Sequence, residues 1–250
     1  MVGHSLYSKN LIPFLRDTGP AKAEENMAQD AALLEGLDPN GAPILHLYDW
    51  EAPSATFGYF LDIKKYLNLD GIARRGVQLA RRPTGGGIVF HIWDLAFSLL
   101  LPAGHPKFSV NTLDNYGLVN QVVLDAIVSC FSLDNVSLIQ EPGALMGPSC
   151  NHFCMARPTV YDAVFRGMKV AGAAQRRTRK GFLHQGTISL CWPDTDLLQD
   201  VLLSQEEVVR AMETYTFAPL GKVDSPEILR EARNELKGVL CQKFIAELQT

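Results

Sequence analysis

Two spacings of apolar residues divide the chain. Between residues 43 and 102 they come in short runs rich in aromatic and β-branched residues: "PILHLYDW", "SATFGYF", "VQLARRP", "IVFH" and "DLAFSLLLP". Such runs, bounded by Gly, Pro or charged turns, read as strands, the last of them buried and ended by Pro102. Before them, "AKAEENMAQDAALLEGL" places Met27, Leu33 and Leu34 on one side of a helix. Asp17 or Thr18 is expected to cap that helix, with Pro20 in its first turn. After them, residues 111–131, "NTLDNYGLVNQVVLDAIVSCF", carry apolar positions at helical spacing and are expected to cross one face of the sheet. Strand composition returns in "NHFCMARP", "YDAVFRGMKVAGAAQ" and "FLHQGTISLCW". Beyond Asp196 the chain reads as helices, ending in one long one, "SPEILREARNELKGVLCQKFIAELQT". Strands gathered together and flanked by helices predict an α+β fold, not alternating βαβ units.

Composition narrows the function classes. The chain has 250 residues, of which 47% are hydrophobic and 20% charged, enough to bury the core of one domain. Its 23 Lys+Arg against 27 Asp+Glu leave a net charge of -4, which gives no overall field for a nucleic-acid strand. The first twenty residues lack the basic start and apolar run of a signal peptide, and no later run approaches a membrane span. A cytoplasmic protein without membrane or nucleic-acid partners is expected. Five cysteines, from Cys130 to Cys241, do not make a disulfide framework, so each is read as a free thiol.

The densest chemistry lies in "RRPTGGGIVFH", residues 81–91. Gly85, Gly86 and Gly87 permit positive φ and leave backbone N–H groups open to a phosphate or carbonyl oxygen; their plain alternative is a hairpin turn between two strands. On a strand, Arg81 and Arg82 point to opposite faces, so one can reach a ligand while the other stays solvated. In "CNHFC" the strand alternation would turn Cys150, His152 and Cys154 to one side without a fourth ligand, so no metal site is expected. "RRTRKG", residues 176–181, reads either as a solvated turn or as a basic patch for an acidic partner.

The glycine segment, with Asp94 and "LAFSLLLP" after it, resembles the signature of the lipoate-protein ligase and octanoyltransferase family, relatives of biotin-protein ligases. Upstream, "YDWEAPSATFGYF" is similar to the family's Trp-x-x-Pro segment; downstream, "GMKVAGAAQRR" is similar to its Gly-x-Lys-x-x-Gly-x-Ala-Gln strand. The resemblance implies a biotin/lipoate ligase-like catalytic domain, α+β with a mixed, mostly antiparallel sheet flanked by helices. It would span residues 1–215, with 216–250 as a C-terminal helical extension of the same domain. The implied reaction attaches an octanoyl or lipoyl group to one lysine of a lipoyl carrier domain, on the glycine cleavage H protein or the E2 subunits of 2-oxoacid dehydrogenases. The donor stays open between an acyl carrier protein, a free acid and another lipoyl domain.

"CMARPTVYD" is similar to the Cys-x-x-x-Pro-Ser/Thr-x-Tyr-Asp/Glu segment of one octanoyltransferase class, in which the cysteine takes the acyl chain as a thioester. The resemblance thus makes Cys154 and Lys169 the catalytic pair, and no cofactor is required. Arg82, Thr84, Gly85, Gly86, Gly87, His91, Gly172, Ala174, Gly186 and Thr187 would bind substrate. His91 reads equally as a hydrogen-bonded structural histidine. A neighbouring ammonium favours a thiolate, so Lys169 and Cys154 are expected to converge if "FCMARP" and "MKVAGAAQ" are neighbouring strands. The runner-up is a ligase that uses ATP and Mg²⁺ to make an acyl-adenylate on the same glycines and lysine; a non-catalytic acyl- or lipoyl-domain-binding relative is third. Two departures bear on substrate choice: Gln185 precedes Gly186 where the family usually has His, with His184 one position early, and Leu61 stands where Gln is frequent.

Overall fold

The computed structural model describes residues 14–141, 150, 152–156, 158–223 and 225–249. The N-terminal stretch before Phe14, and Asn151 and Arg157 of the cysteine segment, lie outside these. A seven-stranded sheet runs in the order β1 (Leu15–Ala21), β2 (Ile44–Trp50), β6 (Asp94–Pro102), β10 (Gly181–Ser189), β9 (Met168–Arg177), β8 (Ala163–Phe165), β7 (Val136–Leu138). Every neighbouring pair is antiparallel except β1 with β2. A second sheet has three strands in the order β4 (Gln78–Arg81), β3 (Ser54–Phe57), β5 (Ile88–His91). The helices are α1 (Ala23–Glu35), α2 (Leu69–Arg74), α3 (Thr112–Phe131), α4 (Thr195–Val201), α5 (Gln205–Tyr215) and α6 (Pro226–Leu248). This is the expected α+β arrangement with a mostly antiparallel sheet.

The large sheet is covered on both faces, so its central strands carry apolar residues at nearly every position. On β6, Leu95, Phe97, Leu99 and Leu101 enter the core formed with α3 and α6, where Val123, Ile127, Leu240 and Phe244 meet them. Leu100 points the other way, to Leu34, Leu37 and Leu183 beside α1. Truncating a fully buried ring such as Phe97 or Phe244 would cost about 3–5 kcal/mol. A separate core under the small sheet joins Phe57, Ile88 and Phe90 to Leu198, Val201, Val208 and Met212 of α4 and α5. A cleft lies where the two sheets meet.

Three sequence expectations give way to tertiary pairing. Asp17 and Thr18 do not cap α1: residues 15–21 form β1, paired parallel with β2, and the register slips between Asp17 and Pro20 where Gly19 takes φ +68°. The helix begins after Lys22, whose backbone N–H reaches the Glu25 carboxylate. The glycines do not close a hairpin, because β4 and β5 pair with opposite edges of β3 and not with each other. Nor is "NHFCMARP" a strand. Phe153 N–H donates to Cys150 O at 3.1 Å and Ala156 N–H to Phe153 O at 3.0 Å, so the segment turns as a 3₁₀ helix. Its buried Cys150, Phe153 and Ala156 recur every third residue, the spacing that puts them on one side of such a turn and into the second core. The alternation argument for Cys150, His152 and Cys154 therefore does not apply.

Candidate active site

A cleft of about 390 Å³, including its open mouth, lies between the sheets. Its walls are Tyr48 of β2, Gly172, Ala173 and Ala174 of β9, and Gln185, Gly186 and Thr187 of β10 on one side. Thr56, Val89, His91 and Arg82 close it from the small sheet, with Met27 of α1 and half-buried Cys154 at its ends. Of the residues expected at the site, Arg82, His91, Cys154, Gly172, Ala174, Gly186 and Thr187 line this space.

Thr84, Gly85, Gly86 and Gly87 form the rim rather than the wall, and Arg82 holds them there. The buried guanidinium donates through Nη2 to Gly85 O (3.0 Å) and Gly87 O (2.8 Å), and through Nη1 to Thr56 Oγ1 (2.9 Å). Gly86 takes φ +88°, and a methyl group there would stand 3.2 Å from Arg82 Nη2 and 3.7 Å from Cys154 Sγ. The glycine thus lets loop, guanidinium and thiol meet. Arg81 takes the opposite face: it is exposed, over the Phe57 ring, bonded to Tyr59 O and to the Leu61 carbonyl.

From Arg82 a chain of polar groups runs inward. Thr56 Oγ1 lies 2.8 Å from His91 Nε2, and His91 Nδ1 lies 2.7 Å from Asp94 Oδ2, which also accepts from Thr187 Oγ1 at 2.5 Å. His91 stacks on Trp50 with centroids 4.3 Å apart. Burial opposes ionisation of Asp94, but His91 and its hydrogen bonds outweigh it and hold the carboxyl below its usual range. His91 is held as the structural reading required, although its ring borders the cleft.

A second chain fixes the glycine rim. Thr84 Oγ1 donates to Gln185 Oε1 at 2.6 Å, and Gln185 Nε2 donates to Asp30 Oδ2 at 2.6 Å. Asp30 also accepts from Ser98 Oγ and lies 2.7 Å from His46 Nδ1. Gln185 therefore fills its position with a polar link between loop and α1. His184, one residue earlier, faces the α3 core, stacked against Phe97, and burial pushes it down to about 3. Tyr48 is raised well above its ordinary value by burial and then by Asp30, and stays protonated.

Lys169 is buried at the start of β9 and does not meet Cys154 through neighbouring strands. Its Nζ lies 2.7 Å from Asp162 Oδ2 and donates to the backbone carbonyl of Cys154 at 2.8 Å. Asp162 also accepts from Thr159 N–H (2.7 Å) and Thr159 Oγ1 (2.8 Å). A methyl group on Gly172 would come within 2.4 Å of Nζ, so this glycine clears the space for the lysine. Asp162 was within a quoted motif but was not read as a site residue; a buried lysine's need for a carboxylate was the available signal. Met27, Tyr48, Thr56 and Val89 were also missed, since their side chains meet only through the sheet order. Among the described residues no three His, Cys, Asp or Glu side chains gather as a metal site, and no helix is long and apolar enough to cross a membrane.

Residues 22–223 match the lipoyl protein ligase A/B catalytic domain. The chain is 32% identical over 246 residues to Octanoyltransferase LipM of Lysinibacillus sphaericus, covering 94% of this chain and 88% of that one. It is 31% identical to Octanoyltransferase LipM of Halalkalibacterium halodurans, covering 88% and 83%. Among solved structures, a Thermoplasma acidophilum protein described as a lipoate protein ligase with bound lipoic acid superposes with a TM-score of 0.69 at 24% identity, over 94% of this chain and 84% of that one. A lipoate-protein ligase A bound with ATP gives the same score at 23% identity, over 94% and 84%. These two establish the fold; the domain match and the relatives above 30% identity show that the chain belongs to the lipoyl protein ligase A/B catalytic-domain family.

Proposed function

We propose that this protein transfers an octanoyl group, or a lipoyl group of similar reach, to a lysine of a lipoyl carrier domain through a thioester on Cys154. The observation that carries this reading is the thiol's place: half-buried, lining the cleft, and 3.7 Å from where a methyl group on Gly86 of the glycine rim would stand. A thiol so placed can attack a carbonyl whose acyl chain lies along Met27, Val89 and Ala174. In the first step the Cys154 sulfur bonds to the acyl carbon, the donor's C–S bond breaks, and the donor thiol leaves with a proton. In the second, the acceptor amine bonds to that carbon, the Cys154 C–S bond breaks, and the amine's proton is lost as the amide forms. One thioester replaces another in the first step and an amide replaces a thioester in the second, so the route runs without ATP.

Lys169 supports both steps by position. Two of its three N–H donors are engaged, by Asp162 and by the Cys154 carbonyl, which leaves one for the charge that develops on the acyl oxygen. The donor is an acyl carrier protein thioester, and the acceptor is a lipoyl domain of an H protein or E2 subunit.

The test is to weigh the intact protein after incubation with octanoyl-carrier protein, and separately with octanoate, ATP and Mg²⁺. An acyl adduct from the carrier alone, lost in Cys154→Ser, supports the thioester route. Lys169→Met, which keeps length without charge, should slow loading about a hundredfold. If Cys154→Ser still acylates a lipoyl domain at full rate with ATP, the adenylate route replaces this one.

A further inference from the structure

The cation expected to activate Cys154 was Lys169, but the geometry assigns that task to another residue. Lys169 carries its own counter-charge: Asp162 lies 2.7 Å away, both side chains are buried, and the lysine's contact with Cys154 is to the carbonyl oxygen. Paired in this way, the two groups present little net field to a sulfur. Among the described residues Arg82 has no carboxylate in contact. Its recorded acceptors are Thr56 Oγ1 and the carbonyls of Gly85 and Gly87, and its Nε, buried, has no partner. A guanidinium has five N–H donors and three are claimed here, which leaves one on Nε and one on Nη1. The same point above Gly86 lies 3.2 Å from Arg82 Nη2 and 3.7 Å from Cys154 Sγ, so guanidinium and sulfur are separated by no more than the sum of these distances.

We propose, resting on the thioester reading above, that Arg82 is the residue that stabilises Cys154 as a thiolate, while Thr56, His91 and Asp94 are positioning residues that keep its guanidinium charged and in place.

Burial alone would pull the Arg82 guanidinium down, and Cys154 beside it is the largest influence acting the other way. A chain of hydrogen bonds also runs from Arg82 to a carboxylate: Thr56 Oγ1 accepts from Arg82 Nη1 and lies 2.8 Å from His91 Nε2, and His91 Nδ1 lies 2.7 Å from Asp94 Oδ2. The Asp94 carboxylate thus stands at the far end of this chain and not against the guanidinium. A direct Arg82–carboxylate pair would cancel the field that the thiolate requires.

The other groups around Cys154 leave Arg82 as its one uncompensated cation among the described residues. From β9 and the turn before β8 come the matched Lys169 and Asp162. Tyr48 of β2 and His91 of β5 border the same cleft, and Tyr116 of α3, pushed up to about 12 first by burial, remains neutral. His152, in the cysteine's own turn, packs on Tyr66. Packed against that turn from α5 are the apolar Val208, Val209, Ala211 and Met212, with the acidic Glu207 beside Cys150.

The experiment measures the rate of Cys154 alkylation by iodoacetamide against pH, with the site resolved by peptide mass, in folded wild type, Arg82→Met, Arg82→Lys, Thr56→Val and the double variant Lys169→Met with Asp162→Asn, which removes both charges of the buried pair. Because the thiolate is the reacting form, loss of its cation moves the rate midpoint to higher pH and lowers the rate about tenfold at pH values below it. Arg82→Met should show this shift and the double variant less than a third of it; Arg82→Lys, which keeps a charge, should recover part. Thr56→Val, which removes no charge and cuts the chain to His91, should move the midpoint in the same direction by a smaller step, and it keeps the test open if Arg82→Met does not fold. An unshifted midpoint in Arg82→Met and Thr56→Val, or the larger shift in the double variant, overturns the assignment. Octanoyl loading of wild type is read in parallel. Loading with an unshifted midpoint refutes the role of Arg82 alone, and absence of loading at Cys154 refutes the thioester reading and this assignment with it.

Discussion

Removing the Asp162 carboxylate should destabilise the whole protein, because it strands a buried cation. Lys169 and Asp162 side chains are 4% and 3% exposed and 2.7 Å apart, so solvent cannot replace either partner. Asp162→Asn keeps the shape and an amide oxygen for the two Thr159 hydrogen bonds, and the loss is confined to the charge. Breaking a buried pair from one side costs about 3–5 kcal/mol. For a domain of this size each kcal/mol lowers Tm by about 2–4 °C, so calorimetry at neutral pH should show a fall of roughly 6–20 °C. The double variant Asp162→Asn with Lys169→Met removes both charges and has no ion left to desolvate. It should be more stable than the sum of the single losses predicts, by about 2 kcal/mol or more. A single variant within about 1 kcal/mol of wild type, or strict additivity in the double, would refute the view that the pair is a compensated buried charge.

Gly86→Ala should reduce octanoyl loading far more than it reduces stability: the residue sits at φ +88° on an exposed rim, where alanine costs about 1–2 kcal/mol, yet its methyl would press on Arg82 at 3.2 Å. Equal loading by variant and wild type in the intact-mass assay would show that the guanidinium has room to move. His184 provides a pH test with a definite sign. Burial pushes it down to about 3, so the unfolded chain binds its proton first: its contribution to stability is intact above about pH 6.5 and is lost as pH falls toward 3, by at most about 1.4 kcal/mol per pH unit. Urea midpoints of wild type and His184→Gln between pH 7 and 4.5 should converge on acidification, and parallel curves would contradict the burial argument.

What could be read in the sequence was whatever a local pattern encodes. Apolar runs bounded by turn residues placed β2, β3, β4, β5, β6 and β10, and helical spacing placed α3 and α6, because those segments bury the face that their own periodicity creates. The motif order likewise placed Cys154 and the glycine rim in one family and one site. Three matters depended on partners distant in the chain. Residues 15–21 became a strand because β2 offered an open edge, which outweighed the helix signals in Asp17, Thr18 and Pro20. The cysteine segment turned instead of extending, because its every-third apolar residues had a second core to fill. The charges around Cys154 were settled by pairing: Lys169 and Arg82 look alike as basic residues in a motif, but Asp162 lies against one and only neutral acceptors against the other. The field at a sulfur depends on where every counter-charge sits in three dimensions, and residue spacing along the chain does not carry that information.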